Sequence, residues 1–143
     1  MGSVADCLFC SIVAGSVPSF EVASTDECLA FLDTRPVFKG HVLVVPRAHV
    51  VTLGDLSLDL LSPLFGFVQR LSRAVEDGLG AGGSFVAVNN KVSQSVAHLH
   101  VHVVPRTKGD GLRGFFWPRT KYESDEEAGS YAARVANALT GHA

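Results

Sequence analysis

The chain has 143 residues, enough for one hydrophobic core of ordinary size, and it is read as a single domain over 1–143. Apolar residues make up 47% of it and charged residues 18%, a balance that excludes disorder and favours a packed fold. A net charge of −2 supplies no general attraction for a phosphate backbone or an anionic lipid surface, so bulk nucleic-acid and membrane binding are excluded on charge.

The N-terminus has no basic segment ahead of an apolar core, and no stretch of about 18 apolar residues follows, so a cytoplasmic protein is expected. Three cysteines, Cys7, Cys10 and Cys28, are an odd number in such a chain and argue against a disulfide framework. In chain order, "ADCLFCSIVAG" predicts a short helical turn ending near Gly15. "SFEVAST" and "ECLAFLD" predict two strands of a hairpin around Thr25-Asp26, the second ended by Arg35-Pro36. Gly40 opens "HVLVVPR", a β-branched run that predicts a buried strand stopping at Pro46.

From Ser62 the period changes. Leu64, Phe65, Phe67, Val68, Leu71, Ala74, Val75 and Leu79 share a helical stripe, with Ser62 as N-cap, Pro63 at the first helical position and Gly78 or Gly80 as the stop. "SFVAVN" (84–89) and "VAHLHVHVVP" (96–105) return to strand character. Ser124 and Glu127 form a capping-box signature for a last helix over 124–140. Sequential strands with short links predict an α+β domain, an antiparallel sheet with helices packed on it.

"AHLHVHVVPR" holds three of the six histidines, His98, His100 and His102, at alternate positions. On a strand they share one face while Leu99, Val101 and Val103 anchor the other to the core. A neutral imidazole can be a nucleophile, a donor or a metal ligand. Three together make a reaction surface more readily than a merely solvated strand face. A catalytic zinc held by all three is disfavoured, because alternate side chains on a straight strand diverge. Cys7-x-x-Cys10 leaves three readings open: a metal pair, a redox dithiol, or two small buried hydrophobes.

"HLHVHVV" resembles the His-φ-His-φ-His-φ-φ motif, with φ apolar, of the histidine triad family of nucleotidyl hydrolases and transferases. "CLFC", "AFLDTRPVFKGHVLVVPRAH", "VNN" and "QSVAHLHVHVVPR" follow in that family's order. The resemblance implies a five-stranded antiparallel sheet with two main helices, continued across a homodimer, and a pocket for a small nucleotide substrate. It implies that His100 attacks the α-phosphate to form a covalent nucleotidyl intermediate, resolved by water. His102 would donate to a phosphate oxygen or the leaving group, Ser95 would lie near the leaving group, and His41 would orient the triad.

By the same resemblance the backbone N–H groups of Gln94, Ser95 and Val96 would bind phosphate. Asp33 would read the ribose hydroxyls, Phe9, Phe31 and Leu32 would flank the base, and Asn89 would contact the nucleotide or stabilise the turn. A structural zinc would be held by Cys7, Cys10, His49 and His98. The turn "NNKVSQ" departs from the family, being shorter and carrying Ser93 where glycine is common. Residues 105–123 carry Arg106, Lys108, Arg113, Arg119 and Lys121 with Phe115, Phe116 and Trp117, and are read as a flexible lid over the leaving group. The competing readings are a non-enzymatic, zinc-stabilised nucleotide-binding or interaction module and a metallohydrolase.

Overall fold

A computed structural model describes residues 6–112 and 119–140, and the chain divides into two compact units, 1–110 and 111–143. In the first unit, α1 (Leu8–Val13) is capped by Cys7, whose Sγ accepts from the Cys10 N–H at 3.4 Å. It ends before Gly15, which takes the left-handed conformation at φ +79°. β1 (Glu21–Ser24) and β2 (Cys28–Leu32) form the expected hairpin, its turn closed by Thr25 Oγ1 accepting from the Cys28 N–H at 3.0 Å.

β3 (Val42–Pro46) pairs with β2 in a register that sets Ala30 opposite Val44. After α2 (Leu58–Leu79), β4 (Gly83–Ala87) and β5 (Val101–Arg106) complete a five-stranded antiparallel sheet of order β1-β2-β3-β5-β4. β5 lies inside it, with His102 opposite Leu43 on one side and Ala87 on the other.

Period-two alternation sorts the strands between two cores. Ala30, Val42, Val44, Leu99, Val101 and Val103 face α2 and meet its buried stripe of Leu64, Phe67, Val68, Leu71 and Val75. Leu29, Phe31, Leu43 and Val45 face the other way and are covered by Cys7 and Phe9 of the α1 segment. Both faces of β2 and β3 are therefore dry, which is why those strands read as unbroken apolar runs. Each fully buried valine or leucine in them contributes roughly 1.5–3 kcal/mol.

The structure corrects three expectations. α2 starts at Leu58, not after Ser62: Ser57 caps it, accepting from the Asp59 N–H at 3.3 Å, and Pro63 falls inside the helix at the cost of one main-chain hydrogen bond. Gly80, at φ +65°, ends it, and Phe65, Ala74 and Leu79 are exposed. The last strand begins at Val101, because His98, Leu99 and His100 run beside the segment after β3, where the Leu99 N–H donates to the Val50 carbonyl at 2.7 Å. Leu99, Val101 and Val103 still share one core, so the alternation survives beyond the strand itself.

In the second unit, α3 spans Asp125–Thr140. Ser124 Oγ accepts from the Glu127 N–H at 3.1 Å, and the Glu127 carboxylate accepts from the Glu123 N–H at 2.8 Å. No helix among the described residues is long and apolar enough to cross a membrane.

Candidate active site and metal centre

A cleft of about 480 Å³ opens on the α1 side of the sheet, a size that suits a small-molecule ligand. Leu8, Phe9, Ile12, Phe31, Leu32 and Leu43 form its apolar part, and Asp33, Ser95, His100 and His102 its polar part, with Val96 beside Ser95. Phe9 organises the wall. Its ring stands edge-on to Phe31 at 5.4 Å and to His100 at 5.0 Å.

The hydrogen-bond partners fix the imidazole tautomers. The Val37 N–H donates to His41 Nδ1 at 3.1 Å, so neutral His41 carries its proton on Nε2. That nitrogen lies 3.0 Å from His102 Nδ1 and donates to it, which puts the His102 proton on Nε2. His102 Nε2 is the buried side-chain polar atom left without a partner among the described residues, an orphan donor of the kind that a ligand satisfies. His100 is the reverse. Its Nδ1 lies 2.7 Å from the His98 carbonyl and must donate to it, leaving Nε2 with the lone pair.

All three rings stay uncharged at neutral pH. Burial pushes His41 and His100 below the usual 6.5 against the opposing pull of Asp33. Burial, with His100 and His41 adding to it, pushes His102 down to about 4. Asp33 Oδ2 sits 3.8 Å from His41 Nδ1, too far for a hydrogen bond, and the 3.1 Å contact with Val37 decides the tautomer. Asp33 Oδ1 accepts from the Arg35 N–H at 2.8 Å, which holds the carboxylate at the cleft.

The turn before His98 is strained and tied down. Lys91 and Ser93 take left-handed backbone at φ +69° and +63°, costing on the order of 1 kcal/mol each. The Gln94 amide donates to the Val51 carbonyl at 2.6 Å while its oxygen accepts from the Lys91 N–H at 3.3 Å. Asn90 Oδ1 accepts from the Leu53 N–H at 2.9 Å. The Gln94 side chain thus holds the turn, and neither Gln94 nor Asn89 lines the cleft. Asn90 makes the cross-loop bond that the sequence suggested for its neighbour. Leu8 and Ile12, one helical turn apart, were also missed; their spacing around Phe9 was the available signal.

The second group of histidines gathers with sulfur. Cys7, Cys10, His49 and His98 each turn one ligand atom toward the others, all within 4.8 Å. His49 Nδ1 lies 3.2 Å from His98 Nδ1 and from Cys10 Sγ, and His98 Nδ1 lies 3.5 Å from both sulfurs. Tetrahedral zinc with ordinary Zn–N and Zn–S bonds would space its donors about 3.4 Å for N to N and about 3.5 Å for N to S. The donor set therefore fits a closed S₂N₂ site. His98 Nε2 donates to the Pro46 carbonyl at 2.8 Å, which leaves Nδ1 as the lone-pair atom that a metal needs. Burial and the adjacent Cys7 push Cys10 up to about 11; a divalent cation would let both thiols ionise.

Of the basic residues read as a lid, Arg106 belongs to β5 and its guanidinium is held by Asp110 at 2.6 and 3.1 Å. Arg113, Phe115, Phe116 and Trp117 lie outside the described residues.

Comparison with known proteins agrees with this geometry. The model of the HIT domain family matches residues 14–109. The chain is 40% identical over 115 residues to "Protein hit" of Bacillus subtilis, covering 78% of this chain and 79% of that protein. It is 30% identical over 132 residues to the adenosine 5'-monophosphoramidase HNT1 of Candida albicans, covering 88% and 87%. The crystal structure of a Zn-bound histidine triad family protein from Mycobacterium smegmatis superposes with a TM-score of 0.73 at 34% identity, covering 95% of this chain and 99% of that one. On a matched family model spanning most of its length and relatives of this identity, the chain belongs to the HIT family.

Proposed function

We propose that the protein is a nucleotidyl hydrolase or transferase acting at the α-phosphate of a nucleoside phosphoramidate or dinucleoside polyphosphate. The observation that carries the reading is the pairing, in one cleft, of a lone-pair nitrogen on His100 with an orphan N–H on His102. His100 Nε2 attacks phosphorus, and the bond from phosphorus to the leaving group breaks. The leaving group departs with a proton relayed from solvent through the Ser95 hydroxyl, and the water that attacks in the second step returns a proton to solvent by the same route. Water then attacks the same phosphorus, the bond to His100 breaks, and the nucleoside monophosphate is released. Splitting one displacement into two lowers each barrier.

His102 donates to a non-bridging oxygen, and its N–H is oriented in advance because His41 fills its Nδ1. The main-chain N–H groups of Ser95 and Val96 add donors for the phosphate charge, whereas the Gln94 N–H is spent on the Lys91 carbonyl at 3.2 Å. Asp33 accepts from the ribose hydroxyls, and Phe9, Phe31 and Leu32 hold the base. Zinc bound by Cys7, Cys10, His49 and His98 would be structural, with no open position for substrate. β4 is an edge strand with Val86 exposed, which supports a homodimer whose sheets join; light scattering should give twice the 15.2 kDa chain mass.

Rapid quench of the protein with a nucleoside phosphoramidate, followed by peptide mass spectrometry, tests the mechanism. A nucleotidyl adduct on His100 is expected, absent in His100→Ala together with turnover. An adduct elsewhere, or turnover surviving in that variant, would contradict the reading. Nucleotide affinity without turnover in the unaltered protein would favour the binding module.

A further inference from the structure

The thiols of the metal centre and the apolar wall of the cleft belong to one short element. α1 has six residues, far below the roughly 12–15 at which an isolated helix becomes even marginal, so its position depends on its anchors. One side of it presents Cys10, with Cys7 at its cap, to His49 and His98. The other presents Leu8, Phe9 and Ile12 to the cleft. Phe9 is buried and, with Ile12 and Val13 packed on the same core, helps to hold the helix, while Leu8 is 48% exposed.

The phosphate side of the cleft is held differently. The Gln94, Asn90 and Leu99 hydrogen bonds to Val51, Leu53 and Val50 fasten it to the main chain after β3 without using either thiol. Val96 packs on the core that includes Cys7 and Phe9, yet these main-chain bonds hold the turn without a cation, so loss of a cation from the cysteines would disturb the base wall more than the phosphate turn.

The geometry points to a thermodynamic coupling: a metal on Cys7, Cys10, His49 and His98 clamps α1 and so builds the base-binding wall, and a bound base in turn tightens the metal. The inference rests on the nucleotide reading of the cleft. Linkage requires both effects to be the same factor. It also requires the effect to follow the base, because the phosphate turn has anchors of its own.

The test uses the zinc-loaded full chain and a chromogenic chelator, with zinc affinity read by competition. AMP or GMP at saturation should tighten zinc by about tenfold, in the ordinary range for coupled sites, and saturating ribose 5-phosphate by less than about twofold. Calorimetry on metal-stripped protein, checked for retained fold by circular dichroism, should show nucleotide binding weakened by the same factor. If stripping unfolds the chain, the chelator competition on the loaded protein still decides the matter. The paired substitution Leu8→Ala with Ile12→Ala should keep zinc and abolish the nucleotide-dependent tightening.

Zinc affinity that does not change with bound nucleotide, or that changes equally with ribose 5-phosphate, would overturn the coupling while leaving the nucleotide reading intact. Tightening that persists in the paired variant would overturn the role of α1. Zinc-loaded protein that binds neither AMP nor GMP would overturn the nucleotide reading and the coupling with it.

Discussion

His98 and His100 stand two residues apart, are both buried, and each spends one N–H on a main-chain carbonyl, yet they do so with opposite nitrogens. His98 gives Nε2–H to Pro46 and keeps the Nδ1 lone pair among the sulfurs. His100 gives Nδ1–H to the carbonyl of His98 and keeps the Nε2 lone pair. The comparison teaches that the carbonyl an imidazole meets decides which nitrogen is free, and so whether the ring suits a metal site or the cleft.

The largest expected effect comes from removing the free Nε2. His100→Ala should lower kcat/KM for a phosphoramidate by about 10⁴-fold or more, as loss of a nucleophile does elsewhere, while circular dichroism and zinc content stay unchanged. His49→Ala should act first on stability. It breaks the metal site, and the melting temperature should fall by about 10 °C, since the ligands' binding free energy is folding free energy. A melting temperature unaffected by His49→Ala or by chelation would dissolve the distinction between the two ends of the segment.

His41→Ala sharpens the comparison on the catalytic side. Without the donor to Nδ1, His102 is free to take the other tautomer, and kcat should drop by about 10²-fold, the scale of losing one positioned donor. His41→Gln, which can donate at the same place, should recover part of it.

Acid should act on the same pair. His41 and His102 titrate below their unfolded value of 6.5, His102 near 4, so below pH 6.5 the unfolded chain binds more protons than the folded one. Stability contributed by these rings is complete above pH 6.5 and is lost as pH falls toward 4. Thermal melts should show that slope, reduced in His102→Ala. Ser93→Gly is the smallest effect, a stabilisation of about 0.5 kcal/mol from relieving the left-handed turn, partly offset by the entropy of glycine.

Much of this was legible in the sequence, for identifiable reasons. The sheet was readable because β2 and β3 are buried on both faces and β5 alternates. The cysteine and histidine cluster was readable through resemblance to a family, because four ligands from three separate segments cannot be paired by spacing alone. The start of α2 was misread because Ser57 and Ser62 both precede apolar periodicity, and the proline after Ser62 imitates a helix start. The tautomers were not readable at all. They depend on the N–H of Val37 and the carbonyls of Pro46 and His98, main-chain groups that carry no signature in residue type. The same holds for Asn90, whose partner is the backbone of Leu53.

The assignment of opposite tautomers is measured most directly by two-bond ¹H–¹⁵N correlation spectra of the zinc-loaded, ¹⁵N-histidine-labelled protein at neutral pH, assigned with single histidine variants. The account predicts His100 protonated on Nδ1 with an unprotonated Nε2, and His98, His41 and His102 protonated on Nε2. A His100 ring carrying its proton on Nε2, or the same tautomer at His98 and His100, would contradict it.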